Sequence, residues 1–485
     1  MPLSLDEKLH ALLRDFTALW PEAALAGLFV LLIVADLVFR RRAGLVVGLL
    51  ALAGFGAVLY LTIGRFAGSG NSVLMLGLLR HSELTAFFQC FFLVTAVLAV
   101  LFAWAERSEY GRQGEFFVLL AAAVLGMYLM AGTTHLLMLY LAVELLSISS
   151  YVLTYLAASR KSAPASLRYI LFGAMSSGVM LYGMSWLYGL TGSLDFTADG
   201  FWTALATQPD TVKATLLVLL LGGLLFKVAA VPFHVWAPEV YDAAPVAVTA
   251  FFSVAPKVAG LLVLFTLSRH AAPHWAGFQP FVAAVALASI TVGNFGALVQ
   301  RNARRLLAYS SVAQAGFMLI PVVVGGPFAV QGFVFYAVVY FCMNTGAFLL
   351  LHALEQPAGY RNIADFAGLG TQRPWLGVGM VVAMAALAGL PPTAGFTAKL
   401  LVFSALWQAY GQSSDPLLLV LFVWGLFNVA VALFYYLRIP YFMFFKPAAG
   451  FSVAKPWLPV AVLAVVVLVP VLVLFFKPFL PTLNF

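Results

Sequence analysis

Apolar runs of about 20 residues, recurring from residue 22 to residue 479, constrain this chain more than any motif in it. A helical run of that length matches the hydrocarbon layer of a bilayer, whereas a soluble core helix is apolar on one face only. The windows fall at roughly 22–40, 43–64, 84–104, 115–132, 134–158, 166–190, 211–240, 245–268, 278–299, 305–325, 328–354, 375–407, 416–439 and 457–479, or about fourteen crossings. With 63% hydrophobic and 9% charged residues and a mean hydropathy of +1.01, the composition excludes one large soluble core. The fold expected is all-α and polytopic.

A net charge of +8 invites a nucleic-acid reading, but the basic residues concentrate in short loops between spans, as membrane topology requires. Sixteen of the 26 Lys and Arg fall in loops that follow odd-numbered spans, among them Arg40, Arg41, Arg42, Arg160, Lys161, Arg301, Arg304 and Arg305. Seven fall in the other loops or the termini, and three lie within spans. Both termini are therefore expected on the non-cytoplasmic side. The first span is expected to be retained, since Arg40–Arg42 follow its apolar stretch while a signal peptide carries its charge in front. Residues 1–21 carry both signs of charge with some helical periodicity and read as a short interfacial helix.

Cys90 and Cys342 both sit in apolar runs, which excludes a cysteine-ligated iron–sulfur cluster in this chain and argues against a structural disulfide. Neither a nucleotide loop nor zinc-ligand spacing is found, so no cofactor or metal is expected here.

The windows 211–240 and 375–407 are longer than one crossing needs, and each contains proline near its middle, Pro232 in one and Pro391 with Pro392 in the other. Proline removes a backbone donor and clashes with the preceding turn, so helices 7 and 12 should be broken. Broken helices at matching positions of two halves point to an ion site. The expected topology sends them in opposite directions, giving four segments: 1–114 (spans 1–3), 115–268 (a first five-helix repeat), 278–439 (a second, inverted repeat) and 440–485 (span 14). Prolines that merely kink a helix are the other reading.

Four ionisable residues lie inside spans, where a charge costs roughly 2.5–3.5 kcal/mol on insertion scales and usually marks function. Glu144 has Tyr140, Ser147, Ile148 and Tyr151 on about one helical face, and a carboxylate there needs a partner. Lys227 lies just before Pro232, where freed carbonyls would accept from its ammonium. Pairing the two would offset part of their desolvation and allow proton exchange; a static salt bridge would use the same residues. Lys257 follows Pro256, with Ser253 and Gly260 on its face, and Lys399 follows the second break, with Gly395 one turn earlier. Neither has an acid in its own helix, and an unpaired, desolvated lysine releases its proton readily. His234, seven residues after Lys227, extends the path if the helix resumes, or else hydrogen-bonds the broken backbone. His135 and His352 read as satisfied polar contacts, and Tyr140, Tyr309 and Ser310 as interhelical hydroxyls.

Taken together, ELLSISSYVL from Glu144, LLFKVAAVPFHVWAPEVYDAAPVAVTAFFSVAPK ending at Lys257, NARRLLAYSSVAQAGFM from Asn302 and LAGLPPTAGFTAKL around Lys399 resemble the antiporter-like, proton-conducting membrane subunits of respiratory complex I, NADH:quinone oxidoreductase. The resemblance covers about residues 115–440. It implies fourteen core helices in two inverted five-helix repeats, a Glu144–Lys227 pair, Lys257 as central connector and Lys399 as terminal site of an axis across the membrane plane. Three features set the chain apart from paralogues. Lys399 stands where subunit M usually has Glu, no long lateral helix like that of subunit L follows span 14, and VVYFCMNTGAFLLL lacks the His and Lys usual there in subunits L and M and in Mrp-type antiporters, with Asn344 and Gly346 instead. Gln314 is a departure, since some relatives have His there. The resemblance further implies that NADH, FMN, iron–sulfur clusters and quinone belong to partner subunits. Those partners are counterparts of K, J, A, M and L together with the peripheral redox arm, in a bacterial inner membrane. Two rival readings are a subunit of a multisubunit sodium/proton antiporter and a purely structural scaffold whose charges are residual ion pairs.

Overall fold

The computed structural model describes residues 15, 18–40, 42–66, 72–105, 113–157, 159–355, 359–447 and 458–476. Eighteen α-helices run through them, numbered here in chain order, and they fall into two compact units.

The first unit holds the described residues up to Leu224, with Leu262–Gly277. Its helices α1 (Trp20–Val38), α2 (Ala43–Phe66), α3 (Glu83–Ala105), α4 (Gln113–Gly132), α5 (Leu136–Tyr155) and α6 (Ser162–Thr191) account for the first six expected crossings. Polar groups inside this bundle find partners on neighbouring helices, as a lipid surrounding demands. The Thr62 and Tyr128 hydroxyls share a hydrogen bond of 2.7 Å, and Arg65 reaches Glu22 at 2.8 Å. Most of the expected interfacial helix over residues 1–21 lies outside the described residues.

Between α2 and α3 the all-α fold carries one small addition. Strands β1 (Ser72–Leu74) and β2 (Leu79–His81) form an antiparallel hairpin in which Ser72 pairs with His81. Leu79 also bridges to Thr133, and His135 to Asp195, so the link between α4 and α5 is sewn to the hairpin and to the loop after α6. Three-residue strands are too short for alternation to betray them. A short helix, α7 (Asp199–Ala206), was likewise not expected; it buries Phe201, Trp202 and Leu205.

The second unit holds Leu225–Leu261 and the described residues of 278–482. Helices α8 (Asp210–Val228) and α10 (Val246–Ala271) are divided between the units. The second unit also contains α9 (Ala237–Ala243), α11 (Phe278–Leu298), α12 (Ala303–Val324), α13 (Gly326–Glu355), α14 (Leu369–Gln372), α15 (Pro374–Ala388), α16 (Ala394–Ser413), α17 (Pro416–Phe445) and α18 (Leu458–Phe476). Helices α12 and α13 are buried almost completely, whereas α17 buries a single stripe.

Twelve helices among the described residues are long and apolar enough to cross a bilayer. Counting α15 with α16 as one interrupted crossing, and adding α18, brings the total to the expected fourteen. Both breaks form, but not alike. The first segment, α8, has 19 residues and is already of crossing length, with seven-residue α9 after the break, so Pro232 lies near one end rather than mid-span. The second break separates pieces of 15 and 20 residues.

Candidate functional site

The two breaks share one backbone design. Each helix ends in a residue of left-handed conformation, Ala229 (φ 58°) or Gly389 (φ 84°). The next amide then bonds back five residues, Ala230 N–H to Leu225 O and Leu390 N–H to Ala385 O, each at 2.9 Å. This is the Schellman closure of a helix end.

Beyond that point the breaks differ. At the first, the Phe226 carbonyl is taken by the indole N–H of Trp236 at 3.0 Å, and Val231 N–H is taken by Ser289 Oγ at 2.9 Å. Lys227 is buried at the end of α8, where a cation favours the carbonyl end of the helix dipole. The chain does not resume its helix until Ala237, so His234 is not two helical turns from Lys227. It stands half-buried in the turn, its ring centroid 6.4 Å from that of Tyr309. The turn persists because its backbone groups have found other partners.

At the second break the lysine itself is the cap. Lys399 Nζ donates to Leu387 O at 3.1 Å and Ala388 O at 2.8 Å, the last carbonyls of α15. Freed carbonyls receiving an ammonium, the arrangement expected for Lys227, are seen here for Lys399. Two glycines permit it. A Cβ on Gly395 would stand 1.9 Å from Ala386 O, and one on Gly389 would stand 2.8 Å from Lys399 Cδ. The ammonium lies 5.2 Å from the Phe317 ring centroid. An adjacent cavity of about 510 Å³ is lined by Lys399, Phe396, Phe403, Trp407 and Phe422.

Lys257 is completely buried. Its Nζ donates to Ser311 Oγ at 2.7 Å and Ser311 O at 3.1 Å, and it lies 5.8 Å from the Tyr241 ring centroid. Pro256, with no N–H, leaves Phe252 O without its helical donor, and the Tyr241 hydroxyl supplies one at 3.3 Å. Tyr340 Oη donates to Ser253 O at 3.1 Å and Asn344 Nδ2 donates to Ser253 Oγ, which joins α13 to α10 one turn before Lys257. Among the described residues neither Lys257 nor Lys399 forms an ion pair, which leaves each ammonium on neutral oxygens.

Near each lysine lie buried neutral groups whose contacts sequence reasoning missed. Ser311 of α12 holds Lys257. One turn along the same helix, Gln314 Nε2 donates to Leu387 O and to Tyr436 Oη, each at 3.0 Å. Gln314 Oε1 accepts from the Tyr336 hydroxyl, and Tyr436 shares a hydrogen bond with Ser310. Leu387 O also carries Lys399, so this group meets the second lysine, while Ser311 Oγ donates to Ala308 O at 2.7 Å. No pattern could have announced it, because its members come from α12, α13, α15 and α17 and meet only through packing.

Glu144 belongs to the first unit, half-buried on α5, while Lys227 belongs to the second. Of its expected helical neighbours, Ser147 donates to Val143 O at 2.6 Å and Ile148 is exposed. Sequence reasoning also missed a buried ion pair. Arg304, counted there as a loop charge, donates to both Glu355 oxygens, with Nε at 2.9 and 3.0 Å, and to Ala244 O at 3.3 Å, so it fixes the end of α9.

Buried ammonium groups held by neutral oxygens beside broken helices define an ion-translocating membrane protein as the class. The family described as NADH:quinone oxidoreductase/Mrp antiporter, TM matches residues 133–427, and the chain belongs to this family. It is 36% identical to NADH-quinone oxidoreductase subunit N of Chlorobium chlorochromatii, with 88% of this chain and 84% of that one covered. It is 40% identical to subunit N 2 of Sorangium cellulosum, with 86% of each covered. Among solved structures it is similar to a chain of respiratory complex I from Thermus thermophilus, with a TM-score of 0.76 at 29% identity over 96% of this chain and 100% of that one. A chain of the Mrp complex from Dietzia shares the fold, with a TM-score of 0.78 at 22% identity over 94% of each.

Proposed function

We infer that this chain is a proton-translocating membrane subunit of NADH-quinone oxidoreductase, a counterpart of the subunits N above. Supporting this most directly is the placement of Lys257 and Lys399, two buried ammonium groups without carboxylate partners, on neutral hydroxyl and carbonyl oxygens of the same unit. Holding two such charges as mere architecture would cost roughly 2.5–3.5 kcal/mol each with no compensating ion pair. In this reading Glu144 and Lys227 form the first exchange site, Lys257 connects, and Lys399 opens to one side through the gap between α15 and α16. His234 takes a supporting role beside the first break. The chain supplies no redox chemistry itself; NADH, FMN, iron–sulfur clusters and quinone are held by partners.

Those partners are counterparts of subunits K, J, A, M and L and the peripheral arm, within a bacterial inner membrane. An antiporter assembly shares the scaffold, but the relatives at 36% and 40% identity carry the oxidoreductase name. Purification in mild detergent separates the two readings, since only the first brings down an iron–sulfur arm.

The relay is tested by Glu144→Gln and Lys227→Ala in the assembled complex. Each is expected to lower redox-driven proton translocation in vesicles severalfold, on the order of what losing one charge partner does to a coupled site. Normal translocation by both would reduce the pair to architecture. The proposed orientation places both termini outside the cytoplasm. Single cysteines at Arg160 and Arg301 should then resist an impermeant thiol reagent in intact cells, and labelling of both would reverse the topology.

A further inference from the structure

A small cavity of about 50 Å³ in the first unit takes its walls from five separate stretches of chain: β2, the start of α3, the link between α4 and α5, the loop after α6 and the last turns of α10. One water needs about 10–15 Å³ on this measure, so the space holds roughly four oxygen-sized atoms. Arg80, Arg269 and His270 line it, and among the described residues no carboxylate does. Asp195 stands behind the wall, where it accepts from Thr197 N and Oγ1 at 2.8 and 2.7 Å.

Basic residues are scarce in the loops that follow even-numbered spans. Of those described, Arg65 pairs with Glu22 and Lys213 with Asp210, each at 2.8 Å. The other two, Arg80 and Arg269, lie far apart in sequence and meet at this one cavity.

The hydroxyls in the wall narrow the chemistry further. Each has one proton to donate and two lone pairs. Thr133 donates to His135 O and Thr266 to Leu262 O, each at 3.1 Å, while Thr134 donates to Gly77 O and Thr197 to Asp195. With their protons spent, these four oxygens can only accept. The cavity therefore presents N–H donors on guanidinium and imidazole groups together with oxygen lone pairs, a combination that suits an anion bearing a proton of its own. A phosphate with a free P–OH is such an anion, since its second ionisation lies near neutrality, at about 6 for a monoester. Sulfate and phosphodiesters have no proton left to give.

We propose that this cavity binds a phosphate group that retains a P–OH, either inorganic phosphate or the headgroup of a phosphomonoester lipid. Arg80 and Arg269 take its ionised oxygens in charge-assisted hydrogen bonds, and the threonine oxygens receive the P–OH. The site is independent of the relay lysines.

The test is equilibrium dialysis of the whole complex in detergent against labelled inorganic phosphate, with sulfate as competitor. Arg80→Gln should weaken the site roughly tenfold, as expected for losing one charged donor. Thr266→Val keeps the side-chain shape and removes one acceptor, so it should weaken phosphate about threefold or more and leave sulfate unchanged. Sulfate should displace the label at least about tenfold less well than phosphate does. Equal competition by sulfate overturns the proposal by reducing the cavity to a site of charge alone, and so does phosphate binding that is the same in both variants as in the unmodified complex. Should Arg80→Gln fail to assemble, Thr266→Val decides. Complex in phosphatidylcholine vesicles with and without phosphatidate separates the sources: displacement of the label by phosphatidate assigns the site to a lipid headgroup, and no displacement assigns it to the free ion.

Discussion

The two broken helices close their backbones in the same way and then use the opening differently. At the first, the carbonyl of Phe226 is occupied by an indole, a neutral donor fixed by its ring, and Lys227 belongs to the helix that has just ended. At the second, the carbonyls of Leu387 and Ala388 are occupied by Lys399, a cation that belongs to the helix about to begin. A neutral cap makes a permanent turn. A cap that can lose its proton makes a turn whose electrostatics change with protonation, so the backbone of the first opening is fixed by neutral donors and that of the second by a titratable one.

The largest expected effect breaks the contrast outright. Lys399→Met keeps much of the side-chain volume and deletes the exchangeable proton, so proton translocation in vesicles should fall by roughly a hundredfold, the lower range for losing a positioned proton-transfer group. Lys399→Arg keeps the charge on a group that does not deprotonate, and it should fail as well. Rescue by Arg would make the site purely electrostatic, and full activity of the Met variant would remove Lys399 from the mechanism.

Next in size are the backbones. Gly395→Ala presses a methyl group onto Ala386 O and should lower the stability of the subunit by about 1–3 kcal/mol, the usual range for overpacking. The reverse is expected at the first break, where Ala229 already bears a side chain in the left-handed region. Ala229→Gly should stabilise by about 1 kcal/mol. Thermal dissociation midpoints of the purified complex measure both, and equal shifts of one sign would show that the breaks are not opposed in this respect.

The smallest effect sharpens the assignment of the first break. Trp236→Phe removes the donor to Phe226 O and should cost about 1 kcal/mol of stability while leaving protons per electron unchanged. A drop in stoichiometry would mean that the first opening is more than a fixed turn.

Much of this was legible before any coordinates. Crossing number, the positions of both breaks and the identity of the buried lysines follow from local rules: bilayer thickness sets the length of apolar runs, and proline cannot continue a helix. What escaped was local structure without periodicity, such as the hairpin of three-residue strands around Met75 and Leu76, and α7 in a loop. For His234 the sequence left two readings open. Its spacing from Lys227 had helical meaning only if the helix resumed, and Trp236 and Ser289 stabilise the turn instead. Arg304 looked like a loop charge because its partner Glu355 lies 51 residues away on another helix.

The sequence by itself determined that this chain crosses a membrane many times, where two of its helices break and which charges it buries, because each of these depends on residues adjacent along the chain. Only the tertiary structure decided what those charges touch. Ser311, Gln314, Tyr336, Tyr436 and the carbonyl of Leu387 come from helices far apart in sequence, and in an apolar surrounding a buried ammonium takes whatever oxygen packing brings within about 3 Å, the ordinary reach of a hydrogen bond.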